Sequence, residues 1–198
     1  MCRMRRVAYD YIEWLWSAVG ILWLTAGLAS KKTARRETAS SRLLHIVIMT
    51  AALVLLFPSL PFSARLPMGP LAWRFVPDSP VIGWTGLAFT VAGCGFAIWA
   101  RVLLGANWSG SVTVKQDHEL VRGGPYAIVR HPIYSGFLLG LLGTALAQGE
   151  LRGIAGLALA FIGWGTKSRK EEAFMAAQFG AVYTGYQRDV KALIPFVL

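Results

Sequence analysis

From Ser79 to Ala100 the chain runs 22 residues without one charged side chain. As a helix that stretch would reach about 33 Å, enough to cross a hydrocarbon layer of about 30 Å. Four further apolar runs flank it. They lie at roughly Tyr11–Ala29, Leu43–Phe62, Pro132–Gln148 and Gly153–Thr166, and the span that holds the uncharged run extends past Arg101 to Leu104. The last run has only 14 residues, short for a full crossing, so its helix is expected to continue beyond the bilayer through Lys167–Glu172. Gly149-Glu150-Leu151-Arg152 joins the last two runs into a tight antiparallel hairpin. The pattern predicts an all-α integral membrane protein of about five transmembrane helices with a cytoplasmic C-terminal amphipathic helix. A single membrane domain would fill residues 1–198, with a two-helix N-terminal part in 1–78 and the functional core in 79–198.

Composition agrees. Hydrophobic residues make up 55% of the 198 and charged residues only 15%, against about 25% charged in a soluble domain. The net charge of +10 invites a nucleic-acid reading. The basic residues, however, sit in short loops between apolar runs, where membrane topology collects them. With the Ser30–Arg42 loop cytoplasmic, that side also holds the 101–130 segment and the tail from Lys167, and so 14 of the 20 basic residues. This orientation puts the C-terminus in the cytoplasm; Arg3, Arg5 and Arg6 count against it. Cys2 and Cys94 suggest neither a disulfide framework nor a zinc site. The first run lacks a clear cleavage site and reads as a retained span. The expectation is a multi-pass protein of a bacterial inner membrane, with its site facing the cytoplasm.

The stretch from Gly123 to Gly136, GGPYAIVRHPIYSG, carries the chemistry. It places Tyr126, Arg130, His131 and Tyr134 at the mouth of an apolar segment, where polar groups are costly without a reason. Pro132 suits the first helical position. The free N–H groups and positive end of that helix then point toward Arg130 and His131, a ready place for an anion. A second signal lies in the tail. Phe174, Met175, Gln178, Phe179, Val182, Tyr183 and Tyr186 recur at helical spacing. Glu171 and Glu172 precede them, and Lys167 and Glu171 share a helix face. A carboxylate pair at the bilayer edge suits a cationic ligand; an ordinary i,i+4 salt bridge is the simpler alternative.

Each residue also has a plainer reading. The tyrosines suit an interfacial belt, and Trp14, Trp16 and Trp23 suit lipid-facing or belt positions. His45 suits an interhelical polar contact, and Gly83, Gly86, Gly93 and Gly95 suit close helix packing. No GxGxxG follows a strand, so a Rossmann-type domain is not indicated.

Taken in order, several elements resemble the isoprenylcysteine carboxyl methyltransferase family, related to phospholipid methyltransferases. They are Leu104-Gly105-Ala106-Asn107-Trp108-Ser109, His118-Glu119-Leu120-Val121, Gly124-Pro125-Tyr126, Arg130-His131-Pro132-Ile133-Tyr134-Ser135-Gly136, Glu171-Glu172, Phe179-Gly180-Ala181-Val182-Tyr183, Tyr186 and Ile194-Pro195. The resemblance covers about Leu103–Pro195. It implies a membrane-embedded enzyme that uses S-adenosylmethionine and yields S-adenosylhomocysteine. It implies that His118, Leu120, Val121, Tyr126, His131 and Tyr134 line the cofactor site and that Glu171 contacts the cofactor from the tail helix. Arg130, Pro132 and Glu172 join that candidate set.

In the resembled enzymes an arginine four residues before that glutamate faces the substrate carboxylate. Here the position is Lys167, which keeps the charge and loses the bidentate fork; Arg169 is the nearest arginine. Lys167, Arg169 and His131 are therefore the candidate catalytic residues. Membrane lipids and a lipophilic or prenylated acceptor are the expected partners, with no metal and no nucleic acid. Carboxyl O-methylation is the favoured reaction, with lipid N-methylation and thiol S-methylation as rivals. A nicotinamide-dependent membrane reductase and a non-catalytic lipid-binding protein stay open.

Overall fold

The computed structural model describes residues 3–28, 33–36, 38–60, 63, 66–105, 113–115 and 120–197. Six helices dominate: α1 (Arg3–Leu28), α2 (Ala39–Leu56), α3 (Pro80–Leu104), α4 (Pro132–Gln148), α5 (Leu151–Phe179) and α6 (Ala181–Asp189). The all-α expectation needs one amendment. Strands β1 (Thr33–Arg36) and β2 (Thr113–Lys115) pair as a short antiparallel ribbon. Among the described residues, α2 and α3 are long and apolar enough to cross a membrane, and α4 is a shorter apolar helix.

Several boundaries move for local reasons. The first helix starts at Arg3, eight residues before the apolar run, and its Arg5 side chain reaches Ala147 O of α4. The second ends at Leu56 rather than Phe62, since Pro58 biases Phe57 away from the helical conformation. Gly149, at φ 70°, closes α4 in the left-handed conformation that glycine adopts cheaply. The fifth run does continue past Thr166, but as one unbroken helix to Phe179. The tail face expected to form one amphipathic helix is instead split by Gly180 at φ 53°.

Helices α3 and α4 meet along small residues. A Cβ at Gly86 would lie 2.5 Å from the Gly143 carbonyl oxygen, and one at Gly93 would lie 2.4 Å from that of Gly136. Nothing larger than glycine fits, so the backbones touch, as small-xxx-small patterns allow. Thr90 Oγ1 donates across the seam to Gly140 O at 3.1 Å. Gly95 departs from expectation: it faces open space. Helix α1 packs on α3 and α4, and α2 packs on α5.

Trp16 and Trp23 are not belt residues. Trp16 Nε1 donates to Thr144 Oγ1 at 2.9 Å, and both indoles pack on Phe137; Trp14 stays exposed. Arg5 is fully buried at the C-terminal end of α4. Its guanidinium donates to Ala147 O at 2.7 Å, Leu146 O at 3.0 Å and Pro77 O at 2.7 Å, and Asp78 lies 3.6 Å away. It caps carbonyls that a helix end leaves without intrahelical partners. Its charge is thus neutralised inside the fold and is no loop charge for orienting the chain.

Candidate active site

The opposite end of α4 is built differently. Pro132 occupies its first turn, and His131 precedes it without a side-chain cap. The approach is a one-turn 3-10 helix at Gly124–Ala127 that buries Pro125 and Tyr126. Tyr126 packs with Ala100 and Ile133, and Val121, Leu104 and Tyr134 lie against that cluster. After α6 the chain returns along the same stretch. Arg130 N donates to Lys191 O at 2.8 Å, His131 N to Ala192 O at 3.0 Å, and Ser135 Oγ to Leu193 O at 2.5 Å. This strand-like seam fixes the backbone of Arg130 and His131.

Helix α5 brings Trp164, Lys167 and Glu171 to the same place, at intervals of three and four residues along one face. Tyr134 donates to Glu171 Oε1 at 2.7 Å. His131 Nδ1 lies 3.5 Å from Glu171 Oε2, and its Nε2 lies 3.2 Å from Glu172 Oε1. Arg130 grips Glu172 Oε1 through Nε at 2.8 Å and Nη2 at 2.6 Å. The same guanidinium donates to the carbonyls of Gln187 and Val190. Gln187 Nε2 donates to Glu172 Oε2 at 3.1 Å.

Rings line the apolar side. His131 stacks on Tyr134, with centroids 5.7 Å apart and planes within 10°. Tyr134 stacks on Trp164 at 5.9 Å, and Trp164 on Phe137 at 5.7 Å. Lys167 Nζ sits 5.6 Å from the centre of the Tyr134 ring.

The electrostatics follow from this geometry. Both imidazole nitrogens of His131 face carboxylate oxygens, so both must donate, which requires the imidazolium. Burial alone would lower the His131 pKa; the hydrogen bonds to Glu171 and Glu172 outweigh it and raise it above the usual histidine value. Burial alone would raise Glu172; the hydrogen bonds from His131 and Arg130 reverse this and bring it to about 2. Glu171 also ends below the ordinary glutamate value. Its burial is outweighed by the His131 hydrogen bond, the Lys167 charge and the Tyr134 hydroxyl.

The structure therefore brings together Tyr126, Arg130, His131, Pro132, Tyr134, Lys167, Glu171 and Glu172, with Val121 beside them. Leu120 is half-buried at the edge of the described segment, and His118 lies outside the described residues. Arg169 is not brought in: it is exposed, two residues and about 200° around α5 from Glu171. The Arg130 guanidinium, which with His131 marks the expected anion site, is turned to Glu172 and the tail. Tyr126, Tyr183 and Tyr186 are buried, which removes the belt reading for them. Sequence reasoning missed Trp164 and Gln187. Trp164 had a legible signal, since it precedes Lys167 and Glu171 on one helix face. Gln187 had none, because only the returning tail puts it beside Glu172.

The signature of the phospholipid methyltransferase family matches residues 81–182, more than half of the chain. The protein-S-isoprenylcysteine O-methyltransferase of Schizosaccharomyces pombe is 36% identical over 103 residues, covering 50% of this chain and 43% of that protein. The corresponding enzyme B of Arabidopsis thaliana is 30% identical over 117 residues, covering 57% of this chain and 58% of that protein. The chain thus spans about half the length of these curated relatives. A solved structure, the eukaryotic intramembrane Ras methyltransferase isoprenylcysteine carboxyl methyltransferase, superposes with a TM-score of 0.53 at 24% identity. The match covers 81% of this chain and 55% of that one, and shows a shared fold. The matched family region holds the end of α4 that carries His131 and the stretch of α5 that carries Glu171, so the chain belongs to the phospholipid methyltransferase family and is related to the isoprenylcysteine O-methyltransferases.

Proposed function

We propose that this chain is a multi-pass membrane methyltransferase that transfers the methyl group of S-adenosylmethionine to a lipophilic acceptor, with a carboxylate as the favoured nucleophile. The observation that carries this reading is Glu171, held by Tyr134 and His131 beside a stack of aromatic rings at the mouth of an apolar helix. A carboxylate next to aromatic faces is a donor set that fits a sulfonium and an α-amine. The first turn of α4 supplies the positive helix end that suits the cofactor's own carboxylate. In this reading α1 to α5 form the five crossings, and the site faces the cytoplasm of a bacterial inner membrane.

When bound, the cofactor supplies an activated methyl group for in-line displacement at carbon. The chain's task is binding and orientation. Glu171 holds positive charge in place, and the Tyr134 and Trp164 rings exclude water from one side. Lys167, buried one turn before Glu171, lends positive charge for an acceptor carboxylate. Such a nucleophile is already ionised at neutral pH and needs no base. Isoprenylcysteine, the acceptor named for the relatives, carries such a carboxylate.

Isothermal titration of the detergent-purified protein with S-adenosylhomocysteine, with NADPH in parallel, tests the class. Micromolar binding of the thioether that is lost in His131→Ala is expected. Binding of NADPH in its place would move the chain to the reductase class.

A further inference from the structure

The two neighbouring glutamates are not equivalent. Glu172 meets three residues, Arg130 and His131 on Oε1 and Gln187 on Oε2, and Glu171, the more exposed of the two, meets two. Glu171 receives a hydrogen bond from Tyr134 on Oε1, and its Oε2 lies 3.5 Å from His131. Gln187 comes from α6, 15 residues on and beyond the Gly180 break. It touches both members of the ion pair, because its backbone carbonyl accepts from Arg130 Nη1 at 3.0 Å while its side-chain amide donates to Glu172. A glutamate's terminal torsion is broad and roughly two-fold, so a carboxylate gripped on one oxygen is free to swing. A donor on the second oxygen stops that rotation.

We propose that Gln187 is a positioning residue: it locks the Glu172 carboxylate so that Glu172 serves the His131 ring, which leaves Glu171 as the ligand-facing carboxylate of the pair. The ligand half of this proposal rests on the methyltransferase reading; the locking half does not. The charged and titratable groups around the ring are Glu171, Glu172 and Lys167 from α5, Arg130 and Tyr134 at the start of α4, and Tyr183 from α6. Tyr183 is buried and its pKa is raised, so it stays neutral throughout.

The chain has three histidines, so ring-labelled histidine resonances of the intact, detergent-solubilised protein can be assigned by substitution. Gln187→Met keeps the length and removes the donor. It should lower the His131 titration point by about half a unit and weaken S-adenosylhomocysteine binding about threefold. Gln187→Asn, one methylene shorter and milder for folding, should shift both in the same direction. In a Glu172→Gln background, Gln187→Met should produce no further shift, because the lock has lost the charge it holds. An unchanged titration point in a folded Gln187 variant would overturn the proposal, and so would an equal shift with and without Glu172. The titration needs no ligand. A wild-type chain that bound no S-adenosylhomocysteine would therefore count against the methyltransferase reading and leave the lock standing.

Discussion

Both ends of α4 are held by a buried or nearly buried arginine that donates to backbone carbonyls of a distant segment, yet only one end carries a chemical cluster. At the C-terminal end Arg5 reaches the carbonyls of Leu146, Ala147 and Pro77, with Asp78 at 3.6 Å. At the N-terminal end Arg130 reaches the carbonyls of Gln187 and Val190 but shares its carboxylate, Glu172, with a histidine. That histidine is in turn shared with a second carboxylate. Arg5 completes a helix end; Arg130 sets up a charge relay of residues that titrate and can meet a ligand. The same residue type in the same kind of pocket is structural or functional according to what its partner touches next.

The largest effect should come from the closed end. Arg5→Ala removes the donor to the buried Ala147 carbonyl and to those of Leu146 and Pro77, and leaves a void at a fully buried position, at a cost of about 3 kcal/mol. Thermal unfolding followed by circular dichroism should show a sharply lowered transition, while the fraction that folds binds S-adenosylhomocysteine as the wild type does. A loss of affinity with stability intact would erase the contrast between the two ends.

Glu171→Ala should do the reverse. Affinity for S-adenosylhomocysteine should fall by about tenfold, roughly the 1.5 kcal/mol of a charge-assisted hydrogen bond, with a smaller drop in the unfolding transition than Arg5→Ala gives. Arg169→Ala, exposed on the same helix, is the control and should leave both unchanged. Unaltered binding in the Glu171 variant would sink the role given to it.

The pH response sharpens the comparison with the smallest effect. His131 has a raised pKa in the fold, so its contribution to stability is complete below about 6.5 and is lost as pH rises through the higher folded value. Glu171 and Glu172 have lowered values. Their contribution is complete above about 4.3 and fades as pH falls, for Glu172 only near pH 2. Unfolding midpoints measured from pH 5 to 9 should therefore decline on the alkaline side, and His131→Gln should flatten that decline. A slope that persists in the variant would assign it to another group.

Much of this molecule is legible in the chain. Apolar runs and proline and glycine stops are local signals; they located α3 and α4 within a residue and showed that α5 continues past Thr166, though not how far. The small residues Gly86 and Gly93 announced a close helix contact. The motif around His131 and the glutamates after the fifth run mark the candidate site in the sequence. Other features depend on which distant segment comes to rest against a given side chain. Arg5 read as a loop charge and proved to be a buried cap. Trp16 read as a belt residue and proved to be an interior donor to Thr144. Arg130 gave no sign in the sequence that its guanidinium meets Glu172 and the returning tail, and Gln187 carried no signal at all. Periodicity and turn chemistry are written in neighbouring residues, so sequence alone placed the ends of α3 and α4, which proline and glycine mark. A hydrogen bond spanning 60 or 140 residues of chain is set by how the helices pack, so only the tertiary structure decided which cation closes a helix end and which one builds a site.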